Sequence, residues 1–153
     1  MAEGVYHVMA RSIAEERIFA FEDEFADLAT FIGKAGISWY AFCGMPTHYH
    51  LLGRVPEREL APTLYVINRR YALRFNKRRI RRGRVFDAPY KAVPVTSEGH
   101  LKWLVHYIAQ NPAQPRDWPW SSFVRRFPFV DDRFLAEVFG GRARMLRYAF
   151  DAR

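Results

Sequence analysis

The chain has 153 residues, half of them hydrophobic, which suits one ordinary globular domain and argues against two separate cores. Its one cysteine, Cys43, excludes an internal disulfide and a thiolate cluster for zinc. No apolar run approaches the ~20 residues of a membrane span, and Met1-Ala2-Glu3-Gly4 lacks the basic start of a secretory leader, so a cytoplasmic protein without a membrane partner is expected. A net charge of +8 and a pI of about 10.0 favour an anionic partner, of which polyphosphate is the commonest.

In chain order, Val5 to Met9 is bulky and β-branched and reads as a strand. Phe21 to Lys34 places Phe21, Phe25, Leu28, Phe31 and Ile32 at helical period. Gly33 and Gly36 bracket the break. Ile37 to Phe42 and His50 to Val55 then read as two strands paired around Gly44-Met45-Pro46-Thr47, with Cys43 in the core. Leu60 to Lys77 reads as a second helix with Pro62 in its first turn, and Gly83 leads into a strand near Tyr90 to Val95. Ser97 caps a third helix reaching about Asn111, with Leu101, Leu104, Val105 and Ile108 on one face and Pro112 and Pro115 to stop it. Pro112 to Pro128 is a packed loop rich in proline and tryptophan, followed by one or two short helices between Asp131 and Ala152. The order β-α-β-β-α-β-α predicts an α+β fold, a ferredoxin-like sandwich in which an antiparallel sheet carries packed helices. All of it belongs to a single domain over residues 1–153, with a core at about 5–125 and a helical tail at about 131–153.

The charge is unevenly spread. Arg69, Arg70, Arg74, Lys77, Arg78, Arg79, Arg81, Arg82 and Arg84 follow one another without an acid between them, and Lys91 lies just beyond. Tyr71 and Phe75 lie four apart within the run, so a helix there sets an aromatic edge beside a basic face able to neutralise phosphates. A solubilising basic helix, or an acidic protein or membrane surface as partner, is the competing interpretation.

His48 and His50 flank Tyr49 at the entrance to a strand, and strand alternation sends both imidazoles to one face. Such a pair is half of a metal site or simply two hydrogen-bonded histidines. Tyr107 and Asn111 lie four apart on the third helix, at the border of its apolar stripe. Asn111 is a candidate third ligand there. Against this, Tyr107 can be a half-buried aromatic packed by Trp103, and Asn111 a helix-terminating residue. His7, His100 and His106 are further candidates, with His106 turned about 100° from Tyr107 and expected to be exposed.

Taken in order, Tyr6-His7-Val8, Trp39-Tyr40-Ala41-Phe42, Met45-Pro46-Thr47-His48-Tyr49-His50-Leu51-Leu52, Tyr71 with Phe75-Asn76, Gly83-Arg84-Val85-Phe86, Tyr90-Lys91, Tyr107-Ile108 with Asn111-Pro112, and Pro119-Trp120-Ser121-Ser122-Phe123 form a pattern. It resembles the REP-associated tyrosine transposases, of the single-tyrosine HUH endonuclease and transposase superfamily, over residues 5 to 125. The resemblance implies Tyr107 as nucleophile, His48, His50 and Asn111 as ligands of Mg²⁺ or Mn²⁺, and single-stranded or hairpin DNA as substrate. It further implies nicking and rejoining through a 5′-phosphotyrosine, in a nucleoid-associated monomer or homodimer. Two hallmarks differ: Thr47 stands where the family usually has Asn, and the stretch after Asn111-Pro112 is short. The alternatives are a binding protein of the same fold without turnover, and a zinc hydrolase built on the histidine pair.

Overall fold

A computed structural model describes residues 4–87 and 90–151; Met1, Ala2 and Glu3, and the last predicted tail residues Ala152 and Arg153, lie outside them. The strands are β1 (Val5–Arg11), β2 (Ala41–Met45), β3 (His48–Arg54) and β4 (Lys91–Pro94). They form one antiparallel sheet in the order β2-β3-β1-β4. The helices are α1 (Glu22–Lys34), α2 (Glu57–Arg79), α3 (Glu98–Ala109), α4 (Arg133–Val138) and α5 (Arg142–Phe150). The β-α-β-β-α-β-α order expected from the sequence is present, with both tail helices.

Against the expectation of one core, strand alternation divides the apolar interior of the single domain into two, one on each face of the sheet. Val8, Ala10, Phe42, Tyr49 and Leu51 face Phe25, Leu28 and Ile32 of α1 and Leu64, Ile67, Tyr71 and Phe75 of α2. Val5, Ala41, Cys43 and Leu52 point the other way, into Leu101, Leu104, Val105 and Ile108 of α3 and Met145 and Ala149 of α5. Helices on both faces leave the sheet interior dry. Burial pushes the Cys43 thiol up to about 12, so it behaves as a small apolar side chain.

Three boundaries differ from the sequence expectation. β2 starts at Ala41 rather than Ile37, because Trp39 is taken up by distant backbone: its N–H donates to Phe129 and its carbonyl accepts from Asp131. The hairpin turn shrinks to Pro46-Thr47, so His48 is already a strand residue. α2 begins at Glu57 and runs to Arg79, which puts Pro62 in its second turn on an exposed position. Trp39 also lies on Gly53, where an added Cβ would stand 2.8 Å from its Cε3.

The proline- and tryptophan-rich loop is a cover for the open edge of β2. Ser122 and Phe42 exchange bonds, Phe42 N–H to Ser122 Oγ at 2.9 Å and Ser122 N–H to the Phe42 carbonyl at 2.8 Å. Gly44 N–H donates to Trp120, and Trp118 Nε1–H donates to Gly44 at 2.7 Å. These bonds occupy backbone groups that would otherwise be a free sheet edge. Among the described residues, no helix is long and apolar enough to cross a membrane.

Candidate metal and tyrosine site

β3 alternates Tyr49 and Leu51 into the α1/α2 core, which turns His48 and His50 toward α3. α3 starts where Ser97 Oγ accepts from His100 N–H, and its buried stripe fixes its rotation so that Tyr107 and Asn111 sit half-buried at the edge of the sheet contact. His48 and His50 of β3 therefore meet Tyr107 of α3 and Asn111, which stands two residues past the end of that helix. His48 Nε2 lies 3.0 Å from Asn111 Oδ1. The His48 and His50 ring centroids are 4.9 Å apart, and the His50 and Tyr107 centroids are 5.7 Å apart and nearly perpendicular.

The environment keeps these imidazoles neutral. Burial, then the neighbouring His48 and His7, push His50 down to about 3. Burial, then His100, bring His7 down to about 4. His48 is lowered too, through burial, against the opposing hydrogen bond to Asn111. Neutral imidazole is the form that ligates metal.

Each ring nitrogen has a distinct setting. His50 Nδ1 lies 2.9 Å from His7 Nε2, while its Nε2 is buried without a hydrogen-bond partner. A proton on Nδ1, donated to His7, leaves the lone pair of Nε2 free. His48 Nδ1 is 3.1 Å from Thr47 Oγ1, so Thr47 orients this ring. The 3.0 Å between His48 Nε2 and Asn111 Oδ1 is a hydrogen-bond length that a divalent cation held by both atoms would also allow. The buried orphan nitrogen and this spacing fit a divalent cation. Among the described residues no group of three His, Cys, Asp or Glu is placed to hold a metal; the third donor here is an amide oxygen.

The end of α3 is gripped by α5. Gln110 Nε2 donates to the carbonyls of Ala149 and Phe150, and His106 Nδ1 lies 3.2 Å from the Tyr148 carbonyl. His106 is thus half-buried against α5, not exposed as its helical angle suggested, because the tail helices cover that side of α3.

The arginine run takes a different place from the one its sequence suggests. Tyr71 and Phe75 are buried in the core rather than forming an exposed edge, with the Tyr71 hydroxyl donating to the Ile18 carbonyl. Arg79 forms two 2.8 Å bonds to Glu24, Arg78 binds Asp27 at 2.8 Å, Arg81 binds Glu16 at 2.8 Å, and Arg74 lies 3.5 Å from Asp27. Arg79 and Arg81 also lie over the Phe75 ring. Their acids come from α1 and the segment before it, out of sight of the run itself. Arg69, Arg70, Lys77, Arg82 and Arg84 are exposed and form no ion pair among the described residues. α2 lies on the sheet face opposite the histidines.

On the histidine face the exposed cations are others. Arg11 pairs in register with His48, and Lys91 pairs with Met9, which alternates onto the same side as His7. Arg11 went unnoticed in the sequence, although it lies at strand period from His7.

No protein-family model and no curated protein matches the chain. Among solved structures, it is similar to a REP-associated tyrosine transposase bound to a REP hairpin, with a TM-score of 0.68 and 15% identity over 80% of this chain and 78% of that one. It is also similar to a protein of Deinococcus radiodurans R1 assigned as a transposase, with a TM-score of 0.50 and 18% identity over 74% of this chain and 95% of that one. At such identities the likeness is one of fold. The chain therefore has the α+β fold of the REP-associated tyrosine transposases, with its His48, His50, Asn111 and Tyr107 gathered between β3 and α3.

Proposed function

We propose that this protein is a divalent-metal-dependent, single-tyrosine enzyme that nicks and rejoins single-stranded or hairpin DNA. The observation that carries the reading is the meeting of His48 Nε2 with Asn111 Oδ1 beside the partnerless Nε2 of His50, under the ring of Tyr107. His48, His50 and Asn111 would hold Mg²⁺ or Mn²⁺, whose contribution when bound is Lewis-acid polarisation of a non-bridging phosphate oxygen. His7 and Thr47 orient the two imidazoles through their outer nitrogens. Arg11 and Lys91 supply cationic side chains for the flanking phosphates.

Tyr107 is the nucleophile in this reading. Its phenolic oxygen attacks phosphorus and loses its proton, while the departing 3′-oxygen gains one. One phosphodiester is exchanged for another, so the 5′-phosphotyrosine keeps the bond available for rejoining without ATP. Trp103 stacks on the Tyr107 ring at 5.0 Å, and His50 and His7 meet it edge-on, which limits where the oxygen can swing.

The test is incubation of labelled single-stranded hairpin DNA with the protein and Mn²⁺, followed by denaturing electrophoresis and mass spectrometry. The expected result is a covalent adduct on Tyr107 that Tyr107→Phe fails to form, while that variant still folds and binds DNA. Nicking by Tyr107→Phe with free phosphate ends would make water the nucleophile and the protein a metal hydrolase. Tight binding by the wild type without cleavage of any DNA would make it a binding protein of this fold.

A further inference from the structure

Trp103 stands out on α3. It is 54% exposed, the one exposed residue between Leu101 and Gln110, whereas Trp39 and Trp120 are buried and Trp118 is half-buried with its indole N–H bonded to Gly44. A single exposed aromatic is common on protein surfaces, and what distinguishes Trp103 is its place against Tyr107. One face of the indole is occupied: the Tyr107 ring lies parallel to it, 13° between planes and 5.0 Å between centroids. Its exposure therefore belongs to the other face and the edges.

The surroundings select the partner's chemistry. Cations lie on the same side of the sheet as His7, with Arg11 opposite His48 and Lys91 opposite Met9. The charges that bear on His7, His48 and His50 come from histidines and Arg11, and no carboxylate is among them. Glu98, the acid at the start of α3, is paired with Lys102. Val93, opposite His7 in register, adds an apolar side chain that is 46% exposed on this face. A flat aromatic surface beside exposed cations suits an anionic ligand that carries planar rings, and unpaired nucleotides combine the two.

We propose that the outer face of Trp103 is a nucleobase subsite: the unpaired base next to the phosphate attacked by Tyr107 stacks there, continuing a base-indole-phenol pile. The proposal rests on the reading of the site as a single-stranded DNA site. It assigns Trp103 two tasks, holding the Tyr107 ring on one side and the neighbouring nucleotide on the other. Stacking is tolerant of base identity, so this subsite fixes the position of the strand rather than its sequence.

The test uses the full chain in EDTA, so that binding is read without cleavage, with three probes: a single-stranded dT dodecamer, a dA dodecamer and an abasic dodecamer carrying the same phosphates. For the wild type, both base-containing probes should quench tryptophan fluorescence, and the abasic probe should not. Trp103→Ala should weaken both base-containing probes about 10-fold and leave the abasic probe unchanged, while Trp103→Phe keeps most of the affinity and loses the quenching. An unchanged thermal melt checks the fold of each variant. Equal weakening of all three probes would mean that Trp103 only steadies Tyr107 and α3, and no weakening would remove the subsite outright. If sedimentation shows a wild-type dimer that Trp103→Ala dissociates while DNA affinity stays the same, the indole covers a second copy of the chain and the proposal fails. Binding of none of the probes by the wild type would overturn the single-stranded DNA reading itself, a result distinct from binding that ignores the bases.

Discussion

The two faces of the sheet use their polar groups in opposite ways. On the α1/α2 face, four arginines are matched by acids, with Glu24 buried beneath Arg79, Asp27 shared by Arg74 and Arg78, and Glu16 on Arg81, while Arg69, Arg70, Lys77, Arg82 and Arg84 stay exposed. On the α3 face, Glu98 and Lys102 are paired, but His50 Nε2 has no partner, and Arg11 and Lys91 form no ion pair among the described residues. The first arrangement secures the fold. The second leaves coordination and charge available to something outside the chain, so the number of arginines in a run does not tell how many of them are free to meet a ligand.

Substitutions can break this contrast. The largest effect is expected on the α3 face: His50→Ala should lower metal-stimulated cleavage by more than about 100-fold, because even partners outside the ligand shell cost 10–100-fold when removed. His7→Ala, which removes the partner of the outer nitrogen of His50, should weaken Mn²⁺ by about 10-fold or more in a calorimetric titration. Equal metal affinity in His7→Ala and wild type would show that His50 needs no orienting partner.

On the other face the expected damage is to stability alone. Glu24 accepts from Arg79 twice and from the backbone N–H groups of Ala20 and Phe21. Burial alone would raise its pKa, yet the bonds to Arg79 and the two backbone groups hold it below the usual 4.5. The unfolded chain therefore binds the proton more readily, so the stabilisation present above pH 4.5 is lost as pH falls below it. Glu24→Gln should cost about 2 kcal/mol at neutral pH in urea unfolding and flatten the acid limb of the stability profile. DNA cleavage should be unaffected once the variant is folded.

DNA affinity sharpens the comparison further. Arg11→Ala and Lys91→Ala should each flatten the slope of log affinity against log salt by about 0.7, the value of one single-strand phosphate contact. Arg78→Ala and Arg79→Ala should leave the slope unchanged and lower the melting temperature instead. A slope altered by Arg79→Ala and not by Arg11→Ala would reverse the assignment of faces.

The smallest effect is expected at the end of α2, where Ile80 is 94% exposed with φ 51° in the left-handed region. A β-branched residue is strained there, and glycine is not. Ile80→Gly should stabilise the protein by about 1 kcal/mol, measured by thermal unfolding.

Much of the fold is legible locally. The spacing of Leu101, Leu104, Val105 and Ile108 determines both the presence of α3 and the side it buries, and Ser97 marks its start. Local period fails where the chain is captured from afar. Trp39 is held by Phe129 and Asp131, which delays β2, and no pattern within Ile37 to Phe42 carries that information. The arginines are similar: their partners Glu16, Asp23, Glu24 and Asp27 lie about 50 residues or more away in the sequence for Arg78, Arg79 and Arg81, and only packing of α1 on α2 unites them. For the candidate site, strand alternation alone puts His48 and His50 side by side. Tyr107 and Asn111 gained meaning only from the ordered motifs, since helical spacing fits a packing tyrosine equally well. The part of His7 depends on β1 lying next to β3, a long-range pairing.

The grip of α5 on Gln110 ties two distant parts of the chain into one mechanical unit. Asn111 is the next residue, and Tyr107 is less than one turn before Gln110, so a shift in the last turn of α5 reaches Asn111 and Tyr107 through a lever a few residues long. A fusion partner that displaced Phe150 would therefore unseat Gln110 and disturb the placement of Asn111 without touching it.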